Sequence, residues 1–218
     1  MSYTEFVLAF LERSEPCMPI YTHLIADALA KEFEIDRKKA AQATAIAMKR
    51  IMDRGKLSDL RFFQKGIYYR TLITPLGEAV IRKSKLIADK YLLPDIGYET
   101  GYRLINRLGL TTQVASRQVI ATNVAKSCMR YDRKLDVYIC RPKTMVNAEN
   151  KKYLQLLDAL DLLDKAPVDE PDTYRVIAEL IEQNNMQYER LLDYADKYYN
   201  KRTIVHLAHT ASKMEFKI

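Results

Sequence analysis

The most constraining feature of the chain is a change of period. From Asp36 to Gly55 (DRKKAAQATAIAMKRIMDRG) apolar residues recur at helical spacing, whereas LSDLRFF (57–63) and IYYRT (67–71) alternate as strands do. Asp36 predicts an N-cap for a helix running to Asp53, and Gly55 a C′ stop after it. Gln64, Lys65 and Gly66 read as the tip of a hairpin. Upstream, Phe6, Val7, Leu8, Phe10 and Leu11 predict a first helix over 2–13, and Pro16 and Pro19 interrupt it. Ile20 to Phe33 predicts a second helix with Leu24, Ile25, Ala28 and Leu29 facing inward. Three helices followed by a two-stranded hairpin is the order of a winged helix-turn-helix, assigned to residues 1–73.

The third helix carries the chemistry. Ala40, Ala43, Ile46, Ala47 and Ile51 fall roughly on one side, and Lys38, Gln42, Ala45 and Lys49 form the opposite stripe, flanked by Arg37, Lys39, Ala41 and Thr44. Gln42 can pair with an adenine edge, and Lys38 and Lys49 can reach guanine edges or phosphates. Cations at a helix N-terminus oppose the helix dipole, a placement that an anionic partner would compensate. In the hairpin, Arg61, Gln64, Lys65 and Arg70 are placed to grip a sugar-phosphate backbone. The expected DNA-contacting set is therefore Arg37, Lys38, Lys39, Gln42, Thr44, Lys49, Arg61, Gln64, Lys65 and Arg70.

Charge supports a polyanion partner. The net charge of +7 is concentrated forward: residues 37–70 hold 10 basic side chains against Asp53 and Asp59, whereas residues 151–218 hold 10 basic and 12 acidic ones. Cys17, Cys128 and Cys140 are odd in number and scattered, with neither disulfide nor metal-ligand spacing. No secretory signal and no apolar run of membrane-spanning length is visible, so a cytoplasmic protein without membrane association is expected.

Thr74-Pro75-Leu76-Gly77 reads as a linker to a second domain over 78–215. There the pattern predicts a helix over 78–92, a Gly97-Tyr98 turn and a helix over 99–108 stopped by Gly109. Strands are expected over 117–123 and 136–141, with a loop or second hairpin between. Helices are expected over 147–164, 172–183, 185–199 and 201–213. The fold class expected is α+β, mostly helical: a winged helix followed by a larger mixed α/β domain. His206 and His209 lie three apart, without a third ligand at fixed spacing. Asp158, Asp161 and Asp164 read as the wet side of an amphipathic helix opposite Leu156, Leu157, Leu160 and Leu163. Tyr194, Tyr198 and Tyr199 read as packing residues. No phosphate-cradling glycine loop or nucleophile-elbow pattern is present, and no cofactor is expected.

The stretch IGYETGYRLINRLGLTTQVASRQVIATN (96–123) resembles the core motif of the AbiE-type antitoxins, the AbiEi family of bacterial abortive-infection systems. YYRTLITPLGEAV (68–80), YICRPK (138–143), LQLLDALDLLDKAP (154–167) and YYNKRTIVHLAH (198–209) are similar to further segments of that family, so the resemblance spans roughly 68–213. It implies an N-terminal winged helix and a C-terminal antitoxin domain. It also implies binding to inverted repeats in the protein's own promoter. The implied partner is a toxin of nucleotidyltransferase type, countered in a type IV system without need of a stable complex. No catalytic residue is expected.

Arg103, Arg107, Arg117, Lys126 and Arg130 are expected to give the second domain a basic front for a further nucleic-acid contact or an antitoxin surface. Two other classes stay open on the residues alone. One is a nucleic-acid-modifying enzyme that uses the winged helix to find substrate; the other is an interaction scaffold whose winged helix no longer binds DNA.

Overall fold

The structure, a computed structural model, describes residues 1–214. The chain is α+β, with a winged helix at its start and a mixed α/β region after it. It divides into two compact units, Met1–Leu86 and Ile87 onward. The end expected at residue 215 lies outside the described residues.

In the first unit, α1 (Tyr3–Arg13) opens with a capping box. Ser2 Oγ accepts from the Glu5 amide at 3.3 Å, and Glu5 Oε2 accepts from the Ser2 amide at 2.8 Å. A two-residue strand, β1 (Ile20–Tyr21), precedes α2 (Thr22–Glu32). These two residues were expected to begin the helix. Instead Ile20, buried, pairs with Tyr68, so a tertiary ladder overrides the local helical pattern. Helix α3 (Arg37–Asp53) starts where its cap predicts, with Asp36 accepting from the amides of Lys38 and Lys39 at 2.9 and 3.3 Å.

Strands β2 (Leu60–Gln64) and β3 (Ile67–Arg70) form the wing, and the antiparallel sheet runs β1-β3-β2. The turn is Lys65-Gly66, and Gly66 has φ +80°, which glycine adopts without steric cost. Val7, Leu11, Ile25, Leu29, Met48, Ile51 and Leu60 form the core. Burying side chains of this size stabilises the unit by about 1.5–3 kcal/mol each. Leu24, expected inside, is exposed.

The segment expected to be a linker is structured. β4 (Ile73–Thr74) pairs with β5 (Gly77–Glu78). Thr71 holds it to the wing: its amide donates to Asp59 O at 2.7 Å and its hydroxyl to Ala79 O at 2.8 Å. The Arg82 amide then reaches Cys17 O at 2.8 Å. The first unit therefore continues past residue 73, and the helix expected from residue 78 begins only at Lys83. It consists of α4 (Lys83–Ile87) and a π-helical turn over Ala88–Leu92.

The second unit holds a four-stranded sheet in the order β6-β7-β9-β8, built from β6 (Gly97–Thr100), β7 (Gln118–Thr122), β8 (Arg130–Asp132) and β9 (Val137–Cys140). β7 and β9 are parallel and the other pairs antiparallel. The turn expected at Gly97-Tyr98 is strand β6, and the helix expected from Glu99 is the shorter α5 (Tyr102–Arg107). All four β6 residues are buried. A Cβ on Gly97 would meet the carbonyl oxygens of Tyr91 and Ala121, the latter at 2.7 Å, so only glycine lets this strand seat.

Helices α6 (Lys151–Leu162), α7 (Thr173–Gln183), α8 (Tyr188–Tyr198) and α9 (Lys201–Ala211) complete the unit. α6 starts later than residue 147 because the Asn147 side chain accepts the amides of Glu149 and Asn150 in a local turn. Leu104, Ile105, Leu110, Leu156, Leu157, Leu160, Ile177, Ile181, Leu191 and Leu207 join these elements in one core.

Candidate nucleic-acid interface

Helix α3 buries one face and frees the other. Ala40, Thr44, Ala47, Met48 and Ile51 are buried against the first unit's core. Residues advance about 100° per position, so Gln42 stands about 180° around the helix from Ile51. The exposed arc centred on Gln42 holds Lys38, Ala45 and Lys49, with Lys39 at its flank. None of Lys38, Lys39, Gln42 and Lys49 has an acidic partner among the described residues. Lys65 is likewise exposed and unpaired at the wing tip, next to a half-buried Gln64. This arc also holds Ile46, 52% exposed, which was expected inside. An apolar side chain among cations on a free helix face is suited to a thymine methyl; its exposure was not legible because alanines flank it on both faces.

Four expected DNA contacts stand differently. Thr44 is 1% exposed, and its hydroxyl has no hydrogen-bond partner, so it belongs to the core and cannot reach a duplex. Arg37 pairs with Asp27 across the turn between α2 and α3, Nε to Oδ1 at 2.8 Å. Arg61 forms a two-point pair with Glu78 at 2.5 and 3.2 Å and donates to Ser58 O at 2.7 Å. Arg70, its side chain 21% exposed, binds Asp59 at 2.8 Å and Glu12 O at 2.6 Å. Arg61 and Arg70 staple the wing, while Arg37 forms a surface pair at the start of α3; each charge meets a carboxylate of the fold.

The second basic group is also largely answered internally. Arg103 and Arg107 both pair with Glu99, whose side chain is 7% exposed. Arg117 pairs with Asp136 at 3.2 Å and lies over the Tyr131 ring, 5.0 Å from its centre. These neighbours raise the already high pKa of Arg117, Tyr131 first, then Tyr138, with Asp136 adding less. Of the five, only Lys126 and Arg130 are exposed cations without such a partner among the described residues.

Asp158 and Asp161 on α6, with Asp164 just after its end, do not form a uniform wet side. Asp158 turns inward: Oδ2 accepts from Thr100 Oγ1 at 2.8 Å and Oδ1 from Tyr199 Oη at 2.7 Å. Burial pushes its carboxyl above the usual carboxylate range. Tyr98 is buried beside it, its hydroxyl close to the Asp158 carboxyl and the Tyr199 hydroxyl. Asp164, in contrast, is held below its ordinary value by His206. His206 spans from Tyr174 Oη (Nδ1, 2.8 Å) to Asp164 (Nε2, 3.0 Å), tying α7 and α9 to the residues that follow α6. Tyr199 is therefore more than a packing residue.

No family model and no curated protein matches the chain. Among solved structures it is similar to the crystal structure of RV2827C protein from Mycobacterium tuberculosis, at 13% identity and a TM-score of 0.48, over 99% of this chain and 83% of that one. No helix among the described residues is long and apolar enough to cross a membrane.

Proposed function

We propose that the protein is a transcriptional regulator that seats α3 in the major groove of duplex DNA and lays the Lys65 turn along the neighbouring backbone. The observation that carries this is the arc of Lys38, Gln42, Ala45 and Lys49, exposed and free of acidic partners on a helix whose other face is core. A solvated helix face needs no such surplus of one sign, and the surplus strains the helix N-terminus. Gln42 at the centre of the arc is the base-reading residue, with Lys38, Lys39, Lys49 and Lys65 as phosphate or guanine contacts.

The resemblance of residues 96–123 to the AbiEi core motif extends the proposal. The chain acts as a non-enzymatic antitoxin that represses its own operon at inverted repeats and counters a nucleotidyltransferase toxin. The test uses fluorescence anisotropy with a duplex taken from upstream of the protein's own gene. Lys38→Glu with Lys49→Glu is expected to abolish binding in a chain that still unfolds cooperatively; unchanged affinity at low salt would refute the interface. Co-expression with the adjacent gene tests the second half. Rescue from a toxic nucleotidyltransferase supports the antitoxin role. DNA binding without such a gene leaves a stand-alone regulator.

A further inference from the structure

The sheet of the second unit is covered on one face only in part. Tyr98, Ala121 and Cys140 lie side by side across β6, β7 and β9, and Leu154 of α6 and Tyr199 pack over them. Two positions along the strands, on the same face, Val119 pairs with Tyr138 and Tyr138 with Tyr131; these are only half-buried. Where the cover stops, a cavity of about 440 Å³ lies between the sheet and α6. Val119, Cys140 and Met129 line it on the sheet side, and Pro142 and Leu162 also line it.

Three features constrain what it would hold. First, Asp158 lines the cavity; Thr100 and Tyr199 each donate to one of its oxygens and the Tyr98 hydroxyl lies close by, while a carboxylate can accept about four hydrogen bonds in all. No cation lies within ion-pair distance of it among the described residues. A buried carboxyl without a cation beside it that lines an open cavity is a candidate ligand site. Second, the walls are mostly apolar, with Thr100 and Asp161 also on the lining. Third, Arg141 and Lys143 are exposed at the edge. Lys143 Nζ is 4.0 Å from Asp161 Oδ2 and 5.5 Å above the Tyr199 ring, and Arg141 has no acidic partner among the described residues.

A simple amine would satisfy Asp158 but be repelled at the edge. A purely apolar ligand would leave the remaining acceptor capacity of Asp158 and the cations at the edge unmet. A ligand with N–H donors at one end, a flat body and an anion at the other meets all three demands. We propose that this cavity is a nucleotide site. The base enters between the sheet and Leu162 and donates to Asp158, while the phosphate meets Arg141 and Lys143. Guanine is the common base whose edge offers two adjacent N–H donors to a carboxylate. A cavity of this size is within the range that small-molecule ligands occupy. The nucleotide comes either free or as one unit of a single strand.

The test is calorimetric titration of the full chain with GMP, AMP and guanosine, alongside anisotropy of a labelled five-nucleotide single strand containing one guanine. GMP is expected to saturate, with AMP and guanosine each weaker by about tenfold or more. Asp158→Asn is expected to weaken GMP by a similar factor. Met129→Trp, an exposed residue at the cavity edge, is expected to abolish binding while the thermal unfolding midpoint stays unchanged, so a loss there is not misfolding. Lys143→Ala with Arg141→Ala should bring GMP down to guanosine's affinity. Competition of the strand with GMP at higher affinity assigns the site to single strands; GMP alone assigns it to the free nucleotide. No saturation by either probe at millimolar concentration, or binding that survives Met129→Trp, overturns the site. AMP binding as tightly as GMP overturns the guanine assignment. This site is independent of the duplex interface on α3, so each can fail alone.

Discussion

Salt dependence of DNA binding discriminates between the interface expected from residue types and the one the fold presents. Residue types alone nominate seven cations: Arg37, Lys38, Lys39, Lys49, Arg61, Lys65 and Arg70. The fold answers Arg37, Arg61 and Arg70 with Asp27, Glu78 and Asp59, leaving four. Each phosphate contact contributes about −0.9 to the slope of log affinity against log salt, so four contacts per protomer give about −3.6. Between 50 and 200 mM salt that slope weakens binding about 150-fold, against about 6,000-fold for seven contacts. Lys38→Ala with Lys49→Ala leaves two contacts, a slope of about −1.8 and a loss of only about 12-fold over the same range. Anisotropy titrations of a promoter duplex at four or five salt concentrations read these slopes directly. A wild-type slope near −6 would mean that the three arginines leave their carboxylates for phosphates. A slope unmoved by the double substitution would refute α3 as the docking element.

Further outcomes follow from single side chains. Thr44→Val removes a buried hydroxyl without a partner and is expected to stabilise the chain by about 1 kcal/mol, with DNA affinity unchanged; a loss of affinity in urea-unfolding-competent protein would return Thr44 to the interface. Gly101→Ala places a Cβ at φ +79°, 2.9 Å from Val119 Cγ2, and is expected to cost about 1–3 kcal/mol by denaturant unfolding; an unchanged midpoint would contradict the strained backbone there. Asp158 has a raised folded value, so the folded state keeps its proton longer, and its contribution is lost as pH rises from below the ordinary carboxylate range through that value. The melting temperature of wild type relative to Asp158→Asn is therefore expected to fall from pH 4 to pH 7, and a pH-independent difference would refute the burial of that carboxyl.

Much of the first unit was legible because its signals are local. The Asp36 cap, the span of α3 and the glycine turn of the wing depend on residues within one or two turns of each other. The second unit was less so. Gly97-Tyr98 reads as a turn and Glu99-Thr100 as the start of a helix, because the reason for a strand there lies in β7, about twenty residues on. Arg107 reads as free charge because its partner, Glu99, lies eight residues back on a strand that local periodicity does not reveal, whereas the i,i+4 spacing of Glu99 and Arg103 was available in the sequence. Asp158 reads as wet because Thr100 and Tyr199 come from β6 and the end of α8, distant in the chain.

Taken by itself, the order of residues determined which segments repeat at helical or strand period, where caps and turns punctuate them, and that cations gather on 37–70. Those follow from backbone sterics and from side chains a few positions apart. Only the tertiary structure decided which of the cations stay free and which carboxylates turn inward. That decision depends on what packs across from each group, because a charge meeting an opposite one inside the fold is no longer available to a partner outside it.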